Sequence, residues 1–126
     1  MFLNPLLDDL QAPWILRNLR TGAVLARHLE ASFDSRTRRR GLLGRQGLAA
    51  ESAMIIAPCS GIHTFFMRFP IDVVFAARDG RVVKVRHVMP AWRVAFGWKA
   101  FAAIELPAGA LQPSGTRPGD LLQIAR

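Results

Sequence analysis

Apolar residues in this chain come in short runs rather than long stripes, and the spacing of those runs sets the reading of the fold. Trp14–Arg20 and Ala23–Leu29 are apolar runs split by Thr21-Gly22, a pattern that predicts a hairpin. Met54–Ala57 and Ile71–Ala77 predict buried strands, with Gln46 to Ala53 as a connector before them. Arg78-Asp79-Gly80-Arg81 joins Ile71–Ala77 to Val82–Val88, and Asp-Gly between apolar runs is the strongest short hairpin signal a sequence offers. Within Val82–Val88, alternation puts Val83, Val85 and His87 on one face and Lys84 and Arg86 on the other. Phe65–Met67 reads as a short extended piece and Met89–Lys99 as a loop. Phe101–Leu106 is a strand ended by Pro107-Ala108-Gly109, and Leu121–Ala125 closes the chain after a Pro118-Gly119 turn.

Helical signal is sparse. Ser35 can cap a short helix whose first turns are Arg36 to Arg40, ended by Gly41 or Gly44, although arginine in a first turn opposes the helix dipole. Leu3, Leu6, Leu7 and Leu10 have helical spacing, so the N-terminal arm, residues 1–13, holds a short turn that packs on the body. Residues 14–126 then read as one mostly-β domain, a jelly-roll-like sandwich or barrel with one short helix.

Composition narrows the class. With 126 residues and 51% hydrophobic content the chain can bury a core without disulfides, and a folded rather than a disordered chain is expected. A single cysteine allows no internal disulfide and fits a reducing compartment. No apolar run approaches the roughly 18 residues of a membrane span. Asp8 and Asp9 stand where a signal peptide carries Lys or Arg, so a cytoplasmic protein is expected. The net charge of +8 would draw nucleic acid, anionic membrane surface or anionic metabolites, but it comes mostly from arginine, which a GC-rich coding sequence also enriches.

The stretch PCSGIHTFFMRFPIDVVF, with the Asp-Gly hairpin after it, the ELPAG at Glu105–Gly109 and the GD at Gly119–Asp120, resembles the prokaryotic family known as domain of unknown function 192. The resemblance runs from about Ala31 to Ile124 and takes in RRRGLLGR. It implies a mostly-β, jelly-roll-like fold and supplies no activity. Many members of that family look exported, whereas this chain has an acidic arm at its start.

The residues themselves offer chemistry at the polar interruption between Met54–Ala57 and Ile71–Ala77. Cys59 and His63 are four residues apart in a turn, where an imidazole can generate thiolate, and Asp72 could orient that imidazole. The plainer alternative is a buried thiol at a strand end and a histidine bonded to a loop carbonyl. Cys59, His63, His87 and Asp72 include metal-ligating types, but no CxxC, HxH or HExxH spacing occurs, so neither metal nor cofactor is expected. Asp72, inside an apolar strand, needs a partner, either an arginine such as Arg68, Arg86 or Arg93 or a set of loop amides. Trp92 and Arg93 lie on a loop that can rim a pocket or serve as a lid. Glu105, at a strand end, suits a pocket or an arginine pair.

Arg36, Arg38, Arg39 and Arg40 can grip anions, but no aromatics interleave with them as in single-strand binders, and a solvated face explains them as well. The leading expectation is a binding module for a small polar ligand or a protein segment. Its pocket lies around Cys59–Met67 and Asp72, with Ser60, His63, Thr64, Phe66, Trp92, Arg93 and Glu105 as ligand-binding residues. A thiol-dependent enzyme using Cys59 and His63 is the first alternative. An anion or nucleic-acid binder acting through Arg36–Arg45 is the second. Oligomeric state is not legible in the sequence.

Overall fold

The structure, a computed structural model, describes residues 1–34 and 42–126. The short helix expected over Arg36 to Arg40 lies outside the described residues. Among those described, the chain runs α1 (Asn4–Asp8), β1 (Ile15–Asn18), β2 (Val24–Ala26), β3 (His28–Ser32), β4 (Ser52–Ile56), β5 (Gly61–His63) and β6 (Ile71–Ala76). It continues with β7 (Val82–Met89), β8 (Val94–Phe96), β9 (Ala102–Pro107), α2 (Leu111–Ser114) and β10 (Leu122–Ala125). The protein is mainly β, and its sheets stay open rather than closing into a barrel. A five-stranded sheet has the order β3-β4-β9-β6-β7, a three-stranded sheet the order β10-β1-β2, and β5-β8 form a two-stranded ribbon. Both expected hairpins form, β1 with β2 and β6 with β7. The β3–β4 pair is parallel, so it needs the long connection that residues 33–51 provide.

The five-stranded sheet is covered on both faces, which is why β4 and β6 are buried at every position and read as continuous apolar runs. On one face Ala53, Ile55, Val74, Ile104 and Leu106 pack against Leu16, Leu25 and Ile124 of the three-stranded sheet and against Leu3, Leu6 and Leu111. The other face carries Met54, Ile56, Val73, Phe75 and Ala103, covered by Leu42, Met67, Ile62 and Ala95. The ribbon approaches this second face closely. A Cβ on Gly97 would stand 2.5 Å from Cβ of Phe75, so only glycine allows the contact.

The expected alternation in Val82–Val88 breaks at Val83. Phe75 pairs with Lys84 but Ala76 pairs with Val82, leaving Val83 as an extra, bulged residue. Val83 therefore packs on the second face while Val85 packs on the first, and the two valines do not share a side.

Asp72 answers its burial with backbone amides rather than arginine. Its carboxylate accepts from Val88 N–H at 2.7 Å and from Leu111 N–H at 2.9 Å. The first bond holds Val88, a β-branched residue at φ 47°, where β7 slips register against β6. The second fixes the start of α2. Asp120, of the Gly-Asp pair, is likewise saturated by Asn18, by the amide of Arg117 and by a two-point pair with Arg20. Those donors hold its carboxyl far below the usual carboxylate range, so its contribution to stability is present above about pH 4 and lost as the pH falls below that.

Replacing Asp72 by alanine strands two amides, that of Leu111 buried and that of Val88 partly buried. Urea denaturation of Asp72→Ala is expected to show a loss of about 3 kcal/mol, from two hydrogen bonds to a charged acceptor. A loss under about 0.5 kcal/mol, the level of an ordinary surface substitution, would refute the role.

Candidate functional site

The polar interruption between β4 and β6 is built as the β5–β8 ribbon and its flanking turns. The expected extended piece at Phe65–Met67 is instead a turn in which Phe66 sits at φ 66°, and the expected loop at Met89–Lys99 contains β8. Strand β5 pairs with β8 in the register Gly61↔Phe96, Ile62↔Ala95, His63↔Val94. Ile62 and Ala95 face the core, so Val94, Phe96 and His63 face outward.

Thr64 ties the two loops together. Its hydroxyl donates to the Pro90 carbonyl at 2.6 Å and accepts from the Arg93 amide at 2.9 Å. Its amide donates to the Arg93 carbonyl, and its carbonyl accepts from the amides of Trp92 and Met67. Thr64, expected as a ligand contact, is buried and spent on this lock. The lock holds Phe66 and Trp92 in left-handed backbone conformations, at φ 66° and 65°. Their rings meet at 4.6 Å, Trp92 reaches Phe65 at 5.8 Å, and Phe65 stacks on His63 at 4.9 Å.

The proposed thiol–imidazole pair takes other partners. Cys59 Sγ lies 3.1 Å from the Gly61 carbonyl, and its amide donates to Phe101. His63 Nδ1 accepts from the Phe65 amide at 3.2 Å. Asp72 is the register partner of Leu106 and faces the opposite side of the sheet from the ribbon, so it does not orient His63. Ser60 accepts from Gly97 through its carbonyl, and Arg93 is exposed. Among the described residues no cluster of three or more His, Cys, Asp or Glu could hold a metal ion. Arg36, Arg38, Arg39 and Arg40 lie outside the described residues, while Arg45 grips Glu30 at 3.1 and 2.6 Å.

Glu105 departs most from expectation. In place of an arginine pair it has none among the described residues, and it accepts no hydrogen bond there. Yet it is only 4% exposed. Pairing of β3, β4, β9, β6 and β7 lines up Glu30, Met54, Glu105, Val73 and Arg86 in one row across the second face. Adjacent strands lie about 4.8 Å apart, so Met54 and Val73 wall Glu105 on both sides and the nearest row charges are two strands away. Burial pushes the Glu105 carboxyl up to about 7, with Arg45 pulling it back only in part. Its Glu-Leu-Pro setting was visible in the sequence. The row was not, because it is assembled from five separate strands.

A match to the DUF192 model, described as an uncharacterized ACR, covers residues 18–124. The chain belongs to the DUF192 family. Two solved structures share the fold. One is a protein of unknown function from Novosphingobium aromaticivorans, 24% identical, with TM-score 0.73 over 89% of this chain and 84% of the other. The second, from Sinorhizobium meliloti, is described as a candidate transcription regulator and is 21% identical, with TM-score 0.75 over 88% and 91%. No curated protein matches the chain. Among the described residues no helix is long and apolar enough to cross a membrane. The motif residues of this DUF192 domain thus divide: Asp72, Asp120 and Thr64 are consumed in holding the fold, and Glu105 has no donor among the described residues.

The raised pKa of Glu105 has a signed consequence for stability. An acid whose folded value lies near 7 and whose unfolded value lies near 4.5 holds its proton more tightly when folded, so stability falls as pH rises from 4.5 to 7. Thermal melts of the wild type are expected to lose about 3 kcal/mol across that window, and Glu105→Gln to flatten the slope. An identical slope in the variant would remove Glu105 from the explanation.

Proposed function

We propose that this DUF192 domain is a binding module for a small polar ligand that brings a hydrogen-bond donor or a cationic nitrogen to Glu105. The reading rests on the contrast among three buried acids. Asp72 and Asp120 are saturated by donors from the chain, whereas Glu105 stands between the apolar Met54 and Val73 with none among the described residues. An acid so placed loses more by ionising than it gains from its surroundings, and a donor arriving from outside reverses that balance. Met54 and Val73 supply apolar walls, Arg86 ends the row on one side, and Arg45 pairs with Glu30 at its other end. A few polar groups converging in an apolar setting are what small-ligand sites use for orientation.

Catalysis by Cys59 and His63 is the less supported alternative, since Gly61 and Phe65 take the bonds that activation of the thiol would need. The thermal-shift test uses a panel of primary amines, guanidines, amides and sugars against wild type, Glu105→Gln and Cys59→Ser. A true ligand at about a hundred times its Kd should add about 2.7 kcal/mol to the wild type and to Cys59→Ser, and little to Glu105→Gln. Ligands that stabilise Glu105→Gln as well as the wild type would contradict the proposal.

A further inference from the structure

The outward side of the β5–β8 ribbon has no part in the Glu105 row, and its composition is unusual for a solvent-facing surface. Phe96 packs over Gly61, where an added Cβ would lie 2.7 Å from the ring, and Val94 stands opposite His63. His63 stacks on Phe65, Phe65 on Trp92, and Trp92 on Phe66, so the apolar groups form one continuous strip. Trp98, two residues past Phe96, is 85% exposed, and Phe66, Phe96 and Trp92 are 71%, 66% and 55% exposed. Phe66 and Trp92 take up left-handed backbone conformations to stand there, a cost that burial of their rings does not offset. Continuous exposed apolar surface on a soluble fold marks a contact surface.

Charge decides the kind of contact. Residues 52–104 contain seven Lys and Arg and two acids, Asp72 and Asp79. Asp72 is buried on amides, and Asp79 accepts from the Arg81 amide in the hairpin turn. Around the strip, Arg68, Arg93 and Lys99 are exposed, and Lys84 Nζ donates to the Phe96 carbonyl at 3.0 Å. Aromatic tips ringed by cations fit a surface that is apolar within and anionic at its edge. A nucleic-acid platform would use ring faces alone, whereas this strip includes Val94 and its rings pack against one another.

We propose that this strip docks the domain on an anionic lipid bilayer, with Phe96, Trp98 and the Phe66–Trp92 pair entering the headgroup boundary and Arg68, Arg93 and Lys99 meeting lipid phosphates. The contact is peripheral and salt-sensitive, and it is independent of the Glu105 proposal.

The test is co-sedimentation of the full chain with vesicles of phosphatidylcholine alone or mixed with phosphatidylglycerol. The protein should partition only into the anionic vesicles, less so at higher salt, and brominated lipid should quench its tryptophan fluorescence. Phe96→Ala with Trp98→Ala should lower the partition coefficient about tenfold or more while leaving circular dichroism and melting unchanged. Should that variant fold poorly, Arg93→Glu with Lys99→Glu is expected to give the same loss from the charge side. Absence of wild-type partitioning, or partitioning that both folded variants retain, would overturn the proposal. Binding of oligo(dT) without vesicle binding would overturn it in favour of single strands. A dimer that disperses on substitution of Phe96 and Trp98, without vesicle binding, would overturn it in favour of self-association.

Discussion

A sheet covered on both faces cannot hold an ionised carboxylate unless donors come with it, and that constraint organises this protein. Two buried acids, Asp72 and Glu105, lie on the five-stranded sheet, and a third, Asp120, lies in the turn before β10. Asp72 receives two amides from segments far apart in sequence, and in doing so fixes the slip in β7 and the start of α2. Asp120 receives Asn18, Arg20 and the Arg117 amide, which fasten the closing turn to the first hairpin. Each of these acids acts as a joint. Glu105 is held between Met54 and Val73 by strand register alone, with no donor among the described residues. It costs stability and joins nothing among the described residues, and the proposed ligand is what would supply its donor.

The same economy of polar groups shapes the ribbon. Thr64 uses its hydroxyl, amide and carbonyl to clamp the 64–67 turn to the 90–93 loop, and the clamp drives Phe66 and Trp92 outward. The ribbon thus has two unlike sides. Ile62 and Ala95 seal the core above the Glu105 face, and the outer side presents aromatic and basic groups.

Much of this fold was legible because its signals are local. Asp79-Gly80 and Thr21-Gly22 mark hairpins through backbone demands that any reader of the chain can apply, and the apolar runs of β4 and β6 announce burial on both faces. What failed depended on distant partners. Val83 looks like a neighbour of Val85 until the bulge against Ala76 places it on the other side. Three-residue strands such as β8 carry too little periodicity to stand out from a loop. Cys59, His63 and Asp72 suggest a catalytic set by type and spacing, but the sheet lies between Asp72 and the ribbon. Glu105 was named as a pocket residue or an arginine partner. Choosing between them required knowing that Arg45 turns to Glu30 instead.

Burial keeps Glu105, an acid with no donor among the described residues, near its midpoint at neutral pH. The most direct test is a carbon-detected NMR titration of the Glu105 side-chain carboxyl in the ligand-free protein. A midpoint near 7 is predicted, set by burial against Arg45. A midpoint near the ordinary 4.5 would mean that the carboxylate already has its donors, and the account of the site would fail.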